Sequence, residues 1–346
     1  MKAMILAAGV GSRLDPLTRN TPKPMVPILN RPVIEHIVQK LKKHGVTEIM
    51  VNLHYLGDVI ADYLGDGSRW GLTIHSVRED QLWGDAGSVK RAQAFFQDET
   101  FLVVGGDDIS DIDITALVKF HRANNAASTI ALSEVDDPSQ YGIVQIDSTG
   151  RIERFLEKPK GEGVFSKTAN SGVYVFEPEV FELIPAGAFY GFGNNVFPQL
   201  LSEGKPLFGY LSTAYWKDVG NLAVYCQTNF DALAGRVALD IPMKQERPGV
   251  WIGDNVTIDP TAIIGSMVAI GSNVTIGAGA TIGQDVIIGD GCVIETGVTL
   301  CETILWAGAR VSAGTHLERC VVGANAQVAS NVAIFNGVIV NPNRRA

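Results

Sequence analysis

Apolar residues in the first part of the chain follow two alternating patterns. Short runs rich in apolar residues predict buried strands at Met4–Ala8, Glu48–Leu53, Leu72–Val77 and Phe101–Val104. Between them, apolar side chains three or four positions apart predict helices, the first over residues 33–41. Strands that alternate with helices indicate a parallel α/β sheet. Ligands of such sheets bind at the carboxyl ends of the strands.

From Ser128 onward the pattern changes to strands separated by turns. These strands are predicted at Thr129–Val135, Gly142–Asp147, Ile152–Glu157 and Gly172–Glu177. We expect this part of the chain to form a lid, or a second half that completes a pocket. The remaining elements before the repeats are strands at Pro206–Tyr210 and Trp216–Gly220, a helix at Leu222–Leu233 and a linker at 236–249.

A six-residue repeat begins at Ile252. Isoleucine recurs at every sixth position, namely Ile252, Ile258, Ile264, Ile270, Ile276, Ile282, Ile288 and Ile294. This period predicts a solenoid with one short strand and one corner per repeat, in which three repeats close a coil. The phase slips by one residue near Leu305 and resumes at Val311, Leu317, Val322, Val328, Ile334 and Val340. The segment resembles the left-handed parallel β-helix of hexapeptide-repeat proteins, whereas a β-sandwich would need a period of two.

Glycines and cations follow the first predicted strand. Gly9 and Gly11 would let backbone N–H groups approach phosphate oxygens closely. Arg13 and Lys23 would add positive charge. The stretch is not a dinucleotide-binding fingerprint, because Leu14 stands where the third glycine would be, and it lacks the P-loop pattern. Taken alone, the glycine pair is more typical of a plain turn after a strand.

Composition narrows the classes of partner. The 346 residues are enough for two domains, and the net charge of −9 argues against nucleic acid as the main partner. Four cysteines without C-x-x-C spacing indicate neither a zinc site nor a disulfide framework. This use of cysteine favours a location in the reducing cytoplasm. No run approaches the roughly 20 apolar residues of a membrane span, so we expect no membrane partner.

Several motifs together carry a family resemblance. The run from Gly9 to Met25, G-x-G-S-R-L-x-P-L-T-x-x-x-P-K-P-M, resembles the signature of the sugar-1-phosphate nucleotidyltransferases. Motifs similar to those of the same family follow at Gln81–Ser88, Gly106-Asp107, Phe155–Pro159 and Tyr215–Gly220. The resemblance implies a Rossmann-like α/β nucleotidyltransferase domain of GT-A type followed by the left-handed parallel β-helix. The implied boundaries are 1–235 for the catalytic domain, 236–249 for the linker and 250–346 for the β-helix.

The resemblance also implies roles for individual residues. The catalytic cations would be Arg13, Lys23 and Lys158. Asp107 and Asp218 would bind Mg²⁺, a cation that prefers one or two carboxylates together with substrate phosphates. The nucleotide would contact Leu6, Ala8, Gly9, Gly11, Gln81, Gly84 and Gly87. The sugar phosphate would contact Gly142, Glu157, Lys158 and Asn170.

Some positions depart from the family pattern. Asp85 stands where the base-recognition loop usually has threonine, Trp83 is a second departure in that loop, and Asn195 lies where relatives often have an acidic residue. These differences leave both the base and the sugar open. Asp108, next to the implied metal ligand, is interpreted as a structural or capping residue.

The implied reaction joins a nucleoside triphosphate and a sugar-1-phosphate, with release of pyrophosphate. The best match is GTP with mannose-1-phosphate, and the alternatives are glucose-1-phosphate with UTP, ATP or dTTP. A hexapeptide acyltransferase is a different class, but it needs a histidine base and the solenoid has only His316. A non-catalytic regulatory homologue is the third class, although it would be expected to lose the charged residues. Because exposed coil ends must be capped or paired, a homo-oligomer is expected.

Overall fold

The computed structural model describes residues 1–341, except for the side chain of Glu162. The chain forms two compact units. The first consists of Met1–Val10, Pro22–Met25 and Ile34–Asp218, and the second of Gly11–Thr21, Val26–Val33 and the chain from Val219 onward. The domain boundaries 1–235, 236–249 and 250–346 stay predictions, and residues 342–346 of the last range lie outside the described residues.

The part of the chain before the repeats mixes strands and helices. Its strands are β1 (Lys2–Leu6), β2 (Pro27–Ile28), β3 (Arg31–Pro32), β4 (Glu48–Leu53), β5 (Thr73–Arg78), β6 (Phe101–Gly105), β7 (Asp108–Ser110), β8 (Ser128–Glu134), β9 (Gly142–Ile146), β10 (Ile152–Glu157), β11 (Thr168–Phe176), β12 (Leu207–Leu211) and β13 (Trp216–Asp218). Its α-helices are α1 (Val33–Lys43), α2 (Gly57–Leu64), α3 (Gly84–Arg91), α4 (Gln93–Phe96), α5 (Ile114–Ala123), α6 (Phe197–Ser202) and α7 (Leu222–Leu233). Short 3₁₀ turns lie at Ser12–Leu14, Leu17–Arg19, Lys23–Met25, Ser68–Trp70, Pro138–Gln140, Gly161–Gly163 and Pro178–Leu183, and a π-helical turn lies at Phe192–Val196.

The sheet of the first unit has a parallel half and an antiparallel half. Strand β1 pairs in parallel with β4 and β6, and β4 pairs in parallel with β5. On the other side, β11 runs antiparallel to β6, β8 and β9, and β10 closes that edge against β9. The parallel α/β sheet predicted for the first part of the chain is therefore confirmed. The turn-separated strands after Ser128 extend the same sheet.

The first strand ends earlier than its apolar run. It spans Lys2–Leu6 rather than Met4–Ala8, because beyond Leu6 the backbone bonds to other groups. The Leu6 carbonyl accepts from the Gly106 N–H at 2.9 Å, and the Ala7 N–H donates to the side chain of Asn52 at 2.7 Å. Ala7 and Ala8 thus belong to the turn at the carboxyl end of β1, where a ligand would bind.

The repeats of the second unit form a three-sided parallel β-helix. Strand β14 (Lys244–Arg247) lies within the predicted linker and pairs antiparallel with the first repeat strand. The repeat strands are β15 (Val250–Ile252), β16 (Thr257–Ile258), β17 (Ile263–Ile264), β18 (Val268–Ile270), β19 (Thr275–Ile276), β20 (Thr281–Ile282), β21 (Val286–Ile288), β22 (Val293–Ile294), β23 (Thr299–Cys301), β24 (Ile304–Leu305), β25 (Arg310–Val311), β26 (His316–Glu318), β27 (Val321–Val322), β28 (Gln327–Val328), β29 (Ala333–Phe335) and β30 (Val338–Ile339).

The isoleucine columns predicted from the six-residue period are confirmed. Ile252 pairs with Ile270 and Ile270 with Ile288, so one coil takes 18 residues. After Ile288 each coil takes 17, since Ile288 pairs with Leu305 and Leu305 with Val322. The column ends at Ile339 and not at the predicted Val340.

The shorter coils differ from the longer ones at one corner. Thr303 and Cys320 occupy buried interior positions there, and each follows a residue with positive φ, Glu302 and Arg319. The Thr303 hydroxyl donates to the Cys301 carbonyl at 2.7 Å. The equivalent corners of the 18-residue coils also have a residue with positive φ, Met267 or Asp285, but a valine follows it there.

Helix α7 and the β2–β3 hairpin pack with the β-helix in the second unit. The indole N–H of Trp306 donates to the Tyr225 hydroxyl at 2.7 Å, and the Asn30 amide donates to the Ile288 carbonyl at 2.8 Å. Gly11 and Arg13 also belong to this unit, in the turn that contains the 3₁₀ segment Ser12–Leu14. Among residues 1–341, no helix is both long enough and apolar enough to cross a membrane.

Candidate active site

Three carboxylates meet at one end of the first unit. Asp107 lies two residues after the last residue of β6, Gly105, whereas Asp108 and Asp218 are brought together because β7 pairs antiparallel with β13. One oxygen of each of the three side chains lies within 4.8 Å of the others. Carboxylate oxygens at this spacing are suitable ligands for a hard divalent cation. The structure therefore groups the two predicted metal ligands and adds Asp108, which sequence reasoning had set aside.

Lys23 lies against this acidic cluster. Its ammonium donates a hydrogen bond to Asp107 and another, of 2.8 Å, to Asp218. Only 7% of Lys23 is exposed. Burial alone would lower the pKa of Lys23, but the charges of Asp107 and Asp218 outweigh it and raise the pKa above its ordinary value. Lys23 is thus a permanent cation in contact with both predicted metal ligands.

Asp108 is the third carboxyl group of the cluster. Burial raises its pKa well above the usual range, and the negative charges of Asp107 and Asp218 raise it further. The signal for this residue was present in the sequence, because Asp108 follows Asp107 in the Gly-Gly-Asp-Asp turn after a buried strand. What the sequence lacked was the β7–β13 pairing that places Asp218 opposite Asp108.

A cavity of about 480 Å³ opens beside the cluster. This volume lies in the range of small-molecule sites. The cavity extends along the carboxyl ends of β1, β4, β5 and β6 and into the antiparallel half of the sheet. Its lining residues are Leu6, Ala8, Gly9, Asn52, Glu79, Leu82, Trp83, Gly84, Asp85, Ser88, Gly105, Asp107, Asp108, Gln140, Tyr141, Gly142, Glu157, Asn170, Ser171, Gly172, Tyr174, Phe189, Trp216 and Asp218.

The cavity brings together many of the residues predicted from the sequence. Those that line it are Leu6, Ala8, Gly9, Gly84, Asp107, Gly142, Glu157, Asn170 and Asp218. Of the other predicted residues, all within the described part of the chain, Lys23, Gln81, Gly87 and Lys158 do not line it, although Lys23 contacts two residues that do. Gly11 and Arg13 fall in the second unit. The functional roles given to all of these residues stay predictions.

Glu157 sits in a space that two glycines leave open. The residue ends β10 opposite Gly142, and a Cβ added at Gly142 would lie 2.7 Å from its Oε2. At Gly193 an added Cβ would lie 2.3 Å from the same oxygen. Burial raises the pKa of Glu157, while the charge of Lys158 lowers it. The Lys158 ammonium lies 4.0 Å from Oε1 of Glu157 on a side chain that is largely exposed.

The loop with Trp83 and Asp85 is fixed by the segment around Tyr190. The Tyr190 N–H donates to the Trp83 carbonyl at 2.9 Å, and the Gly87 N–H donates to the Tyr190 carbonyl at 3.0 Å. Oδ1 of Asp85 accepts from the Phe192 N–H at 2.7 Å, and burial raises the pKa of Asp85. Gly87 therefore has a packing role, since an added Cβ would lie 2.9 Å from the Ala188 carbonyl oxygen.

Two polar residues of the cavity were missed by sequence reasoning. Asn52 lies near the end of β4, and Glu79 directly follows β5. The Asn52 amide donates to Oε1 of Glu79 at 3.1 Å. Their positions at the carboxyl ends of adjacent parallel strands were a usable signal, but neither residue belongs to a motif that was considered.

Comparisons with known proteins agree with this fold. Residues 2–234 match the family described as nucleotidyl transferase, and residues 247–345 match the EIF2B subunit epsilon LbH domain, a left-handed β-helix. A UTP–glucose-1-phosphate uridylyltransferase from Synechocystis sp. is 39% identical, with 77% of this chain and 74% of that protein covered. A mannose-1-phosphate guanylyltransferase from Mycobacterium tuberculosis is 31% identical, with 92% of this chain and 83% of that protein covered.

A solved structure of similar fold supports the same family. The crystal structure of a candidate glucose-1-phosphate thymidylyltransferase from Bacillus anthracis, in complex with sucrose, matches with a TM-score of 0.62 and 30% identity. The match covers 69% of this chain and 97% of that one. The predicted fold, a Rossmann-like nucleotidyltransferase domain followed by a left-handed parallel β-helix, is confirmed. The chain is an enzyme that belongs to the nucleotidyl transferase family.

Proposed function

We propose that this enzyme transfers the nucleotidyl group of GTP to mannose-1-phosphate, with Mg²⁺, and forms GDP-mannose and pyrophosphate. The observation that carries the reaction class is the contact of Lys23 with Asp107 and Asp218 at the edge of the cavity. This arrangement offers both a cation for phosphate oxygens and carboxylates for a divalent metal. The choice of GTP and mannose-1-phosphate is supported by guanylyltransferase relatives that align with up to 98% of the chain.

In the proposed reaction, an oxygen of the sugar phosphate attacks the α-phosphorus of the triphosphate. A new P–O bond forms as the bond to the β-phosphate oxygen breaks, and the electron pair leaves with pyrophosphate. The attacking phosphate is already ionised at neutral pH, so no general base is needed. The enzyme has to align two anions and to offset their repulsion.

Individual side chains would divide this work. Asp107 and Asp218 would hold Mg²⁺, which when bound supplies positive charge to the phosphates. Lys23 and Lys158 would hold the reacting phosphates, and the sequence motif assigns Arg13 to the departing pyrophosphate. Glu157, in its glycine-lined space, would accept hydrogen bonds from sugar hydroxyls.

Glucose-1-phosphate uridylyl transfer is the second candidate. It is favoured by the relative from Synechocystis sp., which at 39% is more similar in sequence than the guanylyltransferase from Mycobacterium tuberculosis at 31%. Adenylyl and thymidylyl transfer stay open from the sequence. Acyl transfer is less well supported, because His316 in the solenoid is partly exposed and packs beside the Phe335 ring at 5.4 Å.

The test is pyrophosphate release from five triphosphates, GTP, UTP, ATP, CTP and dTTP, each paired with mannose-1-phosphate or glucose-1-phosphate. We expect the highest kcat/KM for GTP with mannose-1-phosphate and no release in EDTA. A higher kcat/KM for UTP with glucose-1-phosphate would replace the first proposal by the second candidate. No release from any pair, in protein that binds nucleotide, would favour a non-catalytic regulatory homologue.

A separate prediction concerns the space around Glu157. Gly193→Ala should push the Glu157 carboxylate away, because the new Cβ would lie 2.3 Å from its Oε2. Loss of one hydrogen bond to a charged group should raise KM for the sugar phosphate about 10- to 100-fold. Steady-state kinetics with the triphosphate saturating measures this effect. Gly163→Ala is the matched control, since its Cβ would meet only ordinary contacts at 3.6 Å or more, and equal KM values in the two variants would contradict the prediction.

The proposal also covers the cellular location of the enzyme and its assembly in solution. We place the enzyme in the cytoplasm, which the four free cysteines Cys226, Cys292, Cys301 and Cys320 support. We also propose a homo-oligomer, because an uncovered end of a β-helix exposes unpaired backbone groups. Light scattering coupled to size-exclusion chromatography measures the mass in solution, and a mass of one chain would contradict this part.

A further inference from the structure

Two carboxyl groups of the acidic cluster lie on a short ribbon that is separate from the main sheet. Among the described strands, β7 and β13 form a two-stranded sheet of their own, with Asp108 opposite Asp218 and Ser110 opposite Trp216. An isolated two-stranded ribbon is marginally stable at best in water. Like charges at opposed positions weaken it further. The placement of Asp108 and Asp218 therefore depends on contacts from outside the ribbon.

Lys40 on α1 supplies such a contact at the last residue of β7. Its ammonium donates to the Ser110 carbonyl at 2.9 Å and to the Ser110 hydroxyl at 2.6 Å. The helix that carries Lys40 is firmly packed, because Val38 and Leu41 on either side of it are buried. One side chain thus ties the ribbon to a helix of the first unit through two hydrogen bonds.

The charge of Lys40 strengthens this contact. Burial lowers the pKa of Lys40 to about 8, while the nearby charges of Asp111, Asp108 and Asp113 raise it. At neutral pH the side chain therefore keeps its proton, and with it the donors that Ser110 accepts. Hydrogen bonds from a charged donor are about twice as strong as bonds between neutral groups.

We propose that Lys40 is a positioning residue for the metal site. By holding Ser110, it keeps β7 in register with β13 and Asp108 opposite Asp218. The inference rests on the proposed function, because it takes the acidic cluster to be the Mg²⁺ site. Groups that orient metal ligands commonly change the metal affinity about 10- to 100-fold when they are removed. Lys40 lies outside every motif that the sequence resemblance uses.

The sign of the effect on metal affinity separates positioning from the other roles that Lys40 could have. Removal of a nearby cation would, through space, increase the attraction of the cluster for a divalent metal. Loss of positioning has the opposite effect, because the carboxylates would no longer converge on one ion. A role in stability alone would lower the free energy of unfolding and leave the metal affinity unchanged.

The first experiment measures Mn²⁺ binding to the full-length Lys40→Met variant by electron paramagnetic resonance, without nucleotide or sugar phosphate. We expect Mn²⁺ to bind about 10- to 100-fold more weakly than to the wild type. Lys43→Met, which changes an exposed lysine of the same helix, is the matched control and should bind Mn²⁺ like the wild type. Equal or tighter binding in Lys40→Met would overturn the proposal.

The second experiment uses Ser110→Ala, which removes one of the two hydrogen bonds and leaves the charge of Lys40 in place. Mn²⁺ should bind about 3- to 10-fold more weakly, the value of one hydrogen bond. The change is too small to prevent folding, so this variant decides the question alone if Lys40→Met does not fold. Wild-type affinity in Ser110→Ala would then overturn the role of Lys40.

Asp107→Asn distinguishes a failure of this inference from a failure of the proposed metal site. Weaker Mn²⁺ binding in Asp107→Asn, together with wild-type binding in Lys40→Met and Ser110→Ala, would overturn only the positioning role. Wild-type binding in Asp107→Asn as well would overturn both the metal site and the inference built on it. Weaker binding in all three variants is the expected result.

Discussion

Asp107→Asn is expected to lower kcat/KM for pyrophosphate release by about 10²- to 10³-fold, the effect of losing one preorganised charge contact in a transition state. Asp107 lies in the turn after β6, and its carboxylate contacts the Lys23 ammonium beside Asp218. Asparagine keeps the shape of the side chain but removes the charge, so a loss of activity reports electrostatics and not packing.

The same variant should also bind the divalent metal more weakly. Removal of one of three clustered carboxylates lowers the attraction for a cation, so the Mg²⁺ concentration for half-maximal rate should rise. Manganese binding followed by electron paramagnetic resonance checks this without relying on turnover. The control is Asp98→Asn, which changes an exposed carboxylate shortly before the same strand. Wild-type turnover and wild-type manganese affinity in Asp107→Asn would exclude Asp107 from the site.

Lys23→Met is expected to destabilise the metal-free protein as well as to inactivate it. The variant leaves Asp107, Asp108 and Asp218 close together without their shared cation. Breaking a fully buried ion pair costs about 3–5 kcal/mol, and we expect about 2–3 kcal/mol here because the Asp107 side chain is 36% exposed. Urea denaturation in EDTA measures this difference in the free energy of unfolding.

Added Mg²⁺ distinguishes the role of Lys23 from a packing role. In the wild type the Lys23 ammonium already contacts Asp107 and Asp218, so Mg²⁺ alone should stabilise the protein little. In Lys23→Met the carboxylates have lost that partner, so Mg²⁺ should restore a larger part of the stability. Lys23→Arg keeps the charge and should respond to Mg²⁺ like the wild type. Lys119→Met on the exposed face of α5 should change neither the free energy of unfolding nor its response to Mg²⁺. The same response to Mg²⁺ in Lys23→Met and wild type would contradict the role of Lys23 as a counter-ion.

Much of the site could be located from the sequence because its parts belong to local patterns. Asp107 follows a buried strand and two glycines, and Asp218 lies in a short motif near the end of the domain. Both are found in the cluster. Asn52 and Glu79 were missed because each is a single polar residue at the end of an ordinary strand. Their significance depends on being neighbours across β4 and β5, and strand order is not visible in a single stretch of sequence.

The sequence by itself determined the elements that depend on short-range periodicity. The period of six predicted the β-helix, because each buried isoleucine of a coil contacts the equivalent residue of the next coil. The runs of apolar residues likewise predicted β4 and β10 to the residue. In both cases the physical reason is that local backbone geometry decides which face each successive side chain occupies. A regular pattern of apolar residues therefore shows which face is buried.

Only the tertiary structure decided which distant side chains meet. Lys23 bonds to residues 84 and 195 positions away, Asp108 is joined to Asp218 by the register of β7 and β13, and Gly193 makes room for Glu157. These features arise from the pairing and packing of separate elements, and therefore from the whole fold and not from any local pattern.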